Sequence, residues 1–231
     1  MLKADLHIHS SIDPIDKIIA TPKDIIDKAA EKRFNVLAFT HHRKVVFPEN
    51  LVEYAKHRGI LLIKGVEAQI KGREVLIYNV EQEDIVNVKS FKDLRELKKR
   101  KKNILIIAPH PFYYLPQCLR GELKKNLDLF DAIEYNYYHT DRLNANKRML
   151  RFAKKHNIPI VGNSDVHRLW QLGYTYSLIN AKLNLNSIFN AIKKGKVKVF
   201  TRPIPFSTFI FVPFFFLRSK FRKLMNGYYK R

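Results

Sequence analysis

The chain opens on an alternating stretch, Leu2-Lys3-Ala4-Asp5-Leu6-His7-Ile8-His9-Ser10. As a strand, it puts Asp5, His7 and His9 on one face and Leu6 and Ile8 on the other. Short apolar runs then recur: Val36-Leu37-Ala38-Phe39-Thr40, Leu61-Leu62-Ile63 leading into Gly65-Val66-Glu67, residues 104–109, Asp131-Ala132-Ile133, residues 158–162 and residues 174–179. Such runs are expected of strands buried on both faces. Residues 74–80 read as a hairpin partner for the third run, beyond a turn at Lys71-Gly72. Helical spacing fills the intervals. Thr21-Pro22 supplies an N-cap and an N1 proline for a helix through Lys32, and residues 49–57, 91–102, 141–156 and 186–194 read as further helices.

Strands alternating with helices predict parallel strands joined by crossover helices. The residues at the strand ends choose the architecture. Apolar runs deliver His7/His9, His41/His42, Glu67, His110, Glu134 with Asn136, and Asp165/His167 at their C-terminal ends. Functional groups gathered there point to a β/α barrel. No Gly-x-Gly-x-x-Gly follows the first strand and no P-loop motif occurs, which argues against a Rossmann or P-loop nucleotide site.

Composition narrows the chemistry. There is one cysteine, Cys118, so a disulfide within the chain and a thiolate-rich zinc site are excluded. A reducing, cytoplasmic setting is the expectation, with no signal-peptide pattern at the start. The net charge of +22 suits polyanions such as nucleic acid, phosphorylated metabolites or anionic lipid, and names none of them. Six of nine histidines lie at the ends of apolar runs. A His/carboxylate donor set without thiolate suits Zn²⁺, Mn²⁺ or Fe²⁺, with ligands enough for two or three ions. Clustered divalent ions favour phosphoryl hydrolysis by lowering the pKa of bound water and stabilising charge on the attacked and leaving oxygens.

Six motifs in order, Asp5-Leu6-His7-Ile8-His9-Ser10, Thr40-His41-His42, Gly65-Val66-Glu67, Ala108-Pro109-His110-Pro111, Ala132-Ile133-Glu134 and Gly162-Asn163-Ser164-Asp165-Val166-His167-Arg168, resemble the PHP (polymerase and histidinol phosphatase) superfamily over about residues 2–180. The resemblance implies an α/β fold, a distorted (β/α)7 barrel resembling a TIM barrel, with a multinuclear metal centre. It implies His7, His9, His42, Glu67, His110, Asp165 and His167 as ligands, Glu67 as a bridge, and Asp13 as a further ligand with Asp16 as its fallback. Two departures stand out. His41 occupies the place of an Asp in the family's Thr-Asp-His, and Glu74 stands where many members have a His. Glu74 is either a ligand or a solvent-facing strand residue, and His41 is expected behind the ligands or facing substrate. Arg43 and Arg168 follow two of the motifs and are candidate phosphate clamps, with ordinary surface arginines as the alternative. Glu134 completes the set of candidate catalytic groups, or fixes loops by hydrogen bonding together with Asn136.

These residues predict a barrel domain over residues 1–202 and an aromatic, then basic, tail over 203–231. The tail's first fifteen residues are uncharged and include six phenylalanines. They are too few for a membrane span of about 20 residues, and Pro203, Pro205 and Pro213 oppose a regular helix. Packing on the barrel or on a dimer partner and peripheral contact with a membrane are the two readings. The expected activity is metal-dependent hydrolysis of a phosphate ester, on a phosphorylated small molecule or on a nucleic-acid end in the manner of a 5′–3′ exonuclease. An amidohydrolase-type enzyme, which would need a bridging Lys where Glu67 stands, and a catalytically silent metal-binding module docking nucleic acid or membrane are the alternatives.

Overall fold

Thr21 caps the first helix as its residue type dictates: its hydroxyl accepts from the Asp24 N–H while the Asp24 carboxylate accepts from the Thr21 N–H. Such a box stabilises a helix start by about 1 kcal/mol. The same device, Ser90 with Asp93, opens the basic helix at Phe91. The structure, a computed structural model, describes residues 1–212. Nine strands form one sheet: β1 (Leu2–Ile8), β2 (Val36–Phe39), β3 (Leu61–Ile70), β4 (Arg73–Tyr78), β5 (Leu105–Ala108), β6 (Ala132–Asn136), β7 (Ile160–Asn163), β8 (Thr175–Ile179) and β9 (Val197–Thr201). The helices are α1 (Pro22–Glu31), α2 (Glu49–His57), α3 (Gln82–Val86), α4 (Phe91–Arg100), α5 (Gly121–Lys125), α6 (Asn146–His156) and α7 (Leu185–Lys193).

The sheet runs β7-β6-β5-β4-β3-β2-β1-β8-β9. β1, β2 and β3 pair in parallel, as do β5, β6 and β7, while β4 is antiparallel to both neighbours. Beyond β7 the chain returns to β1. The His9 N–H donates to the Val166 carbonyl (2.9 Å), the Val166 N–H to that of His7 (3.2 Å), and the Leu6 N–H to the Asn163 side-chain oxygen (2.9 Å). Seven strands therefore nearly close a barrel, the distorted α/β barrel expected from the motifs, with the β8–β9 hairpin attached antiparallel to β1.

The closure is tight at one glycine. A Cβ on Gly162 of β7 would lie 2.6 Å from Val199 Cγ1 and 2.9 Å from the Tyr176 carbonyl oxygen, so only glycine lets the hairpin lie this close. Inside the barrel, Ala4, Leu6, Val36, Ala38, Ile63, Leu76, Ile107, Ala132 and Val161 pack with Phe189 and Ile192 of α7. That helix seals the end of the barrel where the parallel strands start. Outside, α1 and α2 cover β1–β3 through Ile25, Ile26, Leu37, Phe39 and Leu51, and α4 and α6 cover β3–β6 through Leu94, Leu97, Met149 and Ala153. Fully burying each large aliphatic side chain stabilises by about 1.5–3 kcal/mol.

Four expectations change. The regular alternation of β1 breaks, because its pairing with β2 slips between Asp5 and Ile8; Leu6 joins the barrel-lining cluster while Ile8 joins the outer one. α6 begins at Asn146 rather than Asp141, since Thr140 Oγ1 takes the Leu143 N–H and Asn144 Oδ1 takes the Asn146 N–H, holding the preceding residues in turns. β9 is an additional strand. In the tail, residues 206–212 are helical although Pro203 and Pro205 precede them, the helix starting directly after Pro205 where a missing N–H costs nothing. Two residues of the tail pack on the barrel: Ile204 is buried with its N–H on the His139 carbonyl, and Phe209 stacks on Tyr138 at 4.5 Å. The rest of the tail, including Pro213 and the basic run, lies outside the described residues.

Candidate metal centre

The ends of the parallel strands carry the centre. On β1, the slip that follows Asp5 turns both His7 and His9 inward. On β3, Glu67 and Gln69 face the lumen, and across the hairpin Gln69 pairs with Glu74, which places Glu74 on the same face. Glu74 therefore belongs to the site: its side chain is 12% exposed and its Oε2 lies 3.8 Å from His110 Nε2. His110 and Asp165 sit just past the ends of β5 and β7 with φ of 27° and 45°. Non-glycine residues reach that left-handed region only at a cost of order 1 kcal/mol or more, which the surrounding structure must hold.

Five imidazoles share one orientation. Each gives its Nδ1 to a fixed partner: His7 to Glu134 Oε1 (2.9 Å), His9 and His42 to Asp13 Oδ2 (2.9 Å each), His110 to Cys118 Sγ (3.5 Å) and His167 to the Asp165 carbonyl (3.0 Å). Each Nε2 is left to face the carboxylates. His7 Nε2 lies 3.3 Å from Glu67 Oε1 and 3.4 Å from Asp165 Oδ1, His9 Nε2 3.4 Å from Glu67 Oε2, His42 Nε2 3.2 Å from that same oxygen, and His110 Nε2 3.6 Å from Glu67 Oε1. His167 Nε2 lies 3.1 Å from Asp16 Oδ2. Among the described residues, four overlapping donor groups result: His7/His9/Glu67, His7/His110/Asp165, His9/His42/His167 and His42/Glu67/Glu74.

These residues fit divalent ions on one observation above all. The fully buried His7 Nε2, His9 Nε2 and Glu67 Oε1 make no hydrogen bond. A buried polar atom left so costs about 1–3 kcal/mol. A lone pair aimed at a cation accounts for all three at once, and the Nδ1 partners are the supports that such ligands use.

Charge follows the same layout. Burial works against charging His7, yet Asp165, Glu134 and Glu67 outweigh it and hold the imidazole well above its ordinary range. Burial, with His167 and His42 nearby, pushes His9 down to about 3. His42 is also opposed by burial, but its bond to Asp13 and the charge of Glu67 carry it up to about 9. Burial and then the charge of Glu67 push the Glu74 carboxyl up to about 8. Glu67 itself, although burial opposes ionisation, is held well below the carboxylate range by His7, His110 and His9.

Several candidates stand elsewhere than expected. Asp13 lies behind the rings: Oδ2 accepts from His9, His42 and the His42 N–H, and Oδ1 accepts from the Ile15 and Asp16 N–H groups, which leaves little capacity for an ion. Asp16, the fallback, is the carboxylate that reaches His167. Glu134 is likewise a support, holding His7 with one oxygen and the His110 N–H with the other at 2.8 Å. Asp5 orients no imidazole; its carboxylate accepts from the His7 N–H and from the Ser164 N–H and hydroxyl, tying β1 to the end of β7. His41 is fully buried on the outer face of β2, stacked on Phe39 with its Nε2 2.7 Å from Ser10 Oγ, and burial pushes it down to about 4. It does not face substrate. Arg43 is exposed, at φ 58°, with its guanidinium on Gln69, and its N–H holds the Glu67 carbonyl (2.9 Å). Arg168 is exposed beside the groove that leads from His167.

Three further supports stand behind the ligands. Cys118 holds His110. Asn136 donates to Asp165 Oδ2 (3.3 Å). Gln171 accepts from the His167 N–H (2.7 Å) and donates to the Tyr137 hydroxyl. The polar end of the β6 run pointed to Asn136; nothing local pointed to the other two.

A barrel closed by β7 on β1, with imidazoles and carboxylates converging at its strand ends, defines a PHP-type metal centre. The PHP domain model matches residues 5–127 and a PHP-associated model matches residues 144–197, and the chain belongs to the PHP domain family. A curated relative, the uncharacterized protein MJ0417 of Methanocaldococcus jannaschii, is 24% identical over 180 residues, 76% of this chain and 69% of that protein. PsfC from Pseudomonas syringae PB-5123 has a similar structure, with a TM-score of 0.64 at 14% identity over 97% of this chain and 98% of that one. So does the lesion-specific endonuclease PfuEndoQ from Pyrococcus furiosus, with a TM-score of 0.58 at 20% identity over 86% of this chain, which spans 57% of that protein's length. Both likenesses concern the fold. Among the described residues no helix is long and apolar enough to cross a membrane.

Proposed function

We propose that this protein is a metal-dependent phosphoesterase. The observation that carries the reading is the common orientation of five imidazoles, every Nδ1 engaged and every Nε2 turned toward Glu67, Asp165, Glu74 or Asp16. The family match and this donor set support a metal-dependent hydrolase. Phosphate-ester specificity, and Zn, Mn or Fe as the ion, are our assignment.

His7, His9, His42, His110, His167, Glu67, Glu74 and Asp165 would hold the ions, two or three in number, with Asp16 at the edge. Bound divalent ions supply an activated water at neutral pH and charge to offset that on the phosphate oxygens. The protein's own part is orientation. Glu134 and Asp13 lock His7, His9 and His42 in the tautomer whose Nε2 lone pair is available, and Asn136 steadies Asp165. Arg43 and Arg168, beside the ligand loops, supply the positive charge that would hold an ester's anionic remainder. A carboxylate at the centre, Glu67, disfavours the amidohydrolase reading, which expects Lys there. Between a phosphomonoester and a nucleic-acid end, the net charge of +22 favours the nucleic acid, and an endonuclease on the same fold is consistent with it. The test is hydrolysis by the metal-loaded protein of an aryl phosphate, an aryl phosphodiester, nucleotides and 5′-phosphorylated oligonucleotides. Turnover of at least one class, abolished by chelator, is expected, and no turnover of any class overturns the reading.

A further inference from the structure

Beside the metal centre lies a recess walled by cations. The turn between β3 and β4 and the loop that follows His110 enclose about 620 Å³, lined by Lys71, Gly72, Arg73, Tyr114, Pro116 and Arg120. Arg73 donates to the Pro116 and Cys118 carbonyls, the latter at 3.1 Å, and Arg120 Nε donates to the Tyr113 carbonyl at 3.3 Å. Carbonyls fix a guanidinium without neutralising it, and among the described residues neither arginine nor Lys71 is paired with a carboxylate. Glu122 lies within reach of the charges of Arg73 and Lys71, but its carboxylate already takes Lys125 at 2.8 Å. Tyr114 stands 87% exposed, with the Arg120 guanidinium 6.0 Å from its ring centre. The recess is tied to the centre on both walls. Cys118, whose carbonyl holds Arg73, holds His110 with its thiol. Lys71 follows Glu67 by four residues, about 13 Å of strand, and Gln69 between them carries the Arg43 guanidinium.

We propose that this rim is a track for single-stranded nucleic acid: Lys71, Arg73 and Arg120 hold backbone phosphates, Tyr114 stacks a base, and the strand crosses the Lys71-Gly72 turn to present a phosphodiester to the centre. Delivery to the centre rests on the phosphoesterase reading; binding does not. Cations free of acids are what phosphate contacts need, and those contacts supply most of the affinity for a strand. A small phosphomonoester held at the centre would leave these three cations, outside the lumen, unanswered. The exposed ring narrows the choice further. An unpaired base stacks on an aromatic face, whereas a duplex keeps its bases inside and offers Tyr114 nothing. An anionic bilayer would answer the charge, but no aliphatic side chain except Pro116 lines the recess to enter it.

The experiment is fluorescence anisotropy of the metal-loaded full chain with a labelled, hydrolysis-resistant phosphorothioate single strand of about a dozen nucleotides. Tyr114→Ala should weaken binding about fivefold or more, the loss of one stacked base. The pair Lys71→Asn and Arg120→Gln should weaken it about tenfold or more and make log affinity fall less steeply with log salt, by about 1.4, at about 0.7 per lost phosphate contact. Asn suits the φ of 48° at position 71. Metal content, melting temperature and hydrolysis of an aryl phosphate should stay at the parent's level in both variants. A parent that hydrolyses no ester removes delivery to the centre, while the track stands or falls on binding. Parent-like binding by either variant, tighter binding of a duplex than of the single strand, or binding of phosphatidylglycerol vesicles but not of the oligonucleotide would overturn the proposal.

Discussion

At the scale of single residues, the centre depends on what stands behind each ring. Glu134 holds two ligands at once, the His7 ring and the His110 backbone, without entering a donor group itself. Glu134→Gln keeps the shape and removes the charge that stabilises the ring's N–H. Metal affinity, measured by competition with a chromogenic chelator, should fall by about 10- to 100-fold, the range for lost supports of metal-binding His, and the far-ultraviolet circular dichroism should be unchanged. Undiminished affinity would make Glu134 a bystander. His41 and His42 show what was legible at this scale. Neighbours on a strand point to opposite faces, so one of the two had to face outward, and Val36, Ala38 and Thr40 already mark the inward set that His42 joins. The slip in β1, which moves Asp5 off the face of His7 and His9, left no mark in the alternation of residues 2–10.

Elements carry the next part. The parallel strands and the Lys71-Gly72 hairpin were legible because their apolar runs are bounded by chemistry-bearing ends and turn residues. β9 was not: Val197, Val199 and Thr201 are only half buried, alternating with the exposed Lys198 and Phe200, and such a short amphipathic edge resembles a loop. Its place is visible only from Gly162, where the hairpin presses on β7. Gly162→Ala puts a methyl 2.6 Å from Val199 Cγ1. Denaturant titration should show a loss of about 1–3 kcal/mol, the usual cost of overpacking. A Cβ accommodated without loss would mean that the hairpin is not clamped against β7.

Over the whole molecule, stability should depend on pH through the same groups. Glu74 and His42 have folded-state values raised to about 8 and about 9, above their ordinary 4.5 and 6.5. Groups raised on folding contribute stability that is present at low pH and lost as pH rises through the folded value. Between pH 7 and 9 the metal-free folded chain therefore binds more protons than the unfolded one, and its melting temperature should fall across that window. His9 and His41, lowered to about 3 and about 4, act only below their unfolded value and leave this window alone. Bound ions need deprotonated Glu74 and neutral His42, so with metal the fall should flatten or reverse. A melting temperature that rises from pH 7 to 9 in the metal-free protein would contradict this balance.

One carboxylate, Glu67, would join the donor groups into a single multinuclear centre. The decisive measurement is the metal content of the purified full chain and of Glu67→Ala, by elemental analysis after removal of loosely held ions. Two or three divalent ions per chain are expected in the parent protein and one or none in the variant, with hydrolysis lost alongside. A parent chain that retains no ion, or a Glu67→Ala variant that keeps the full complement, would contradict it.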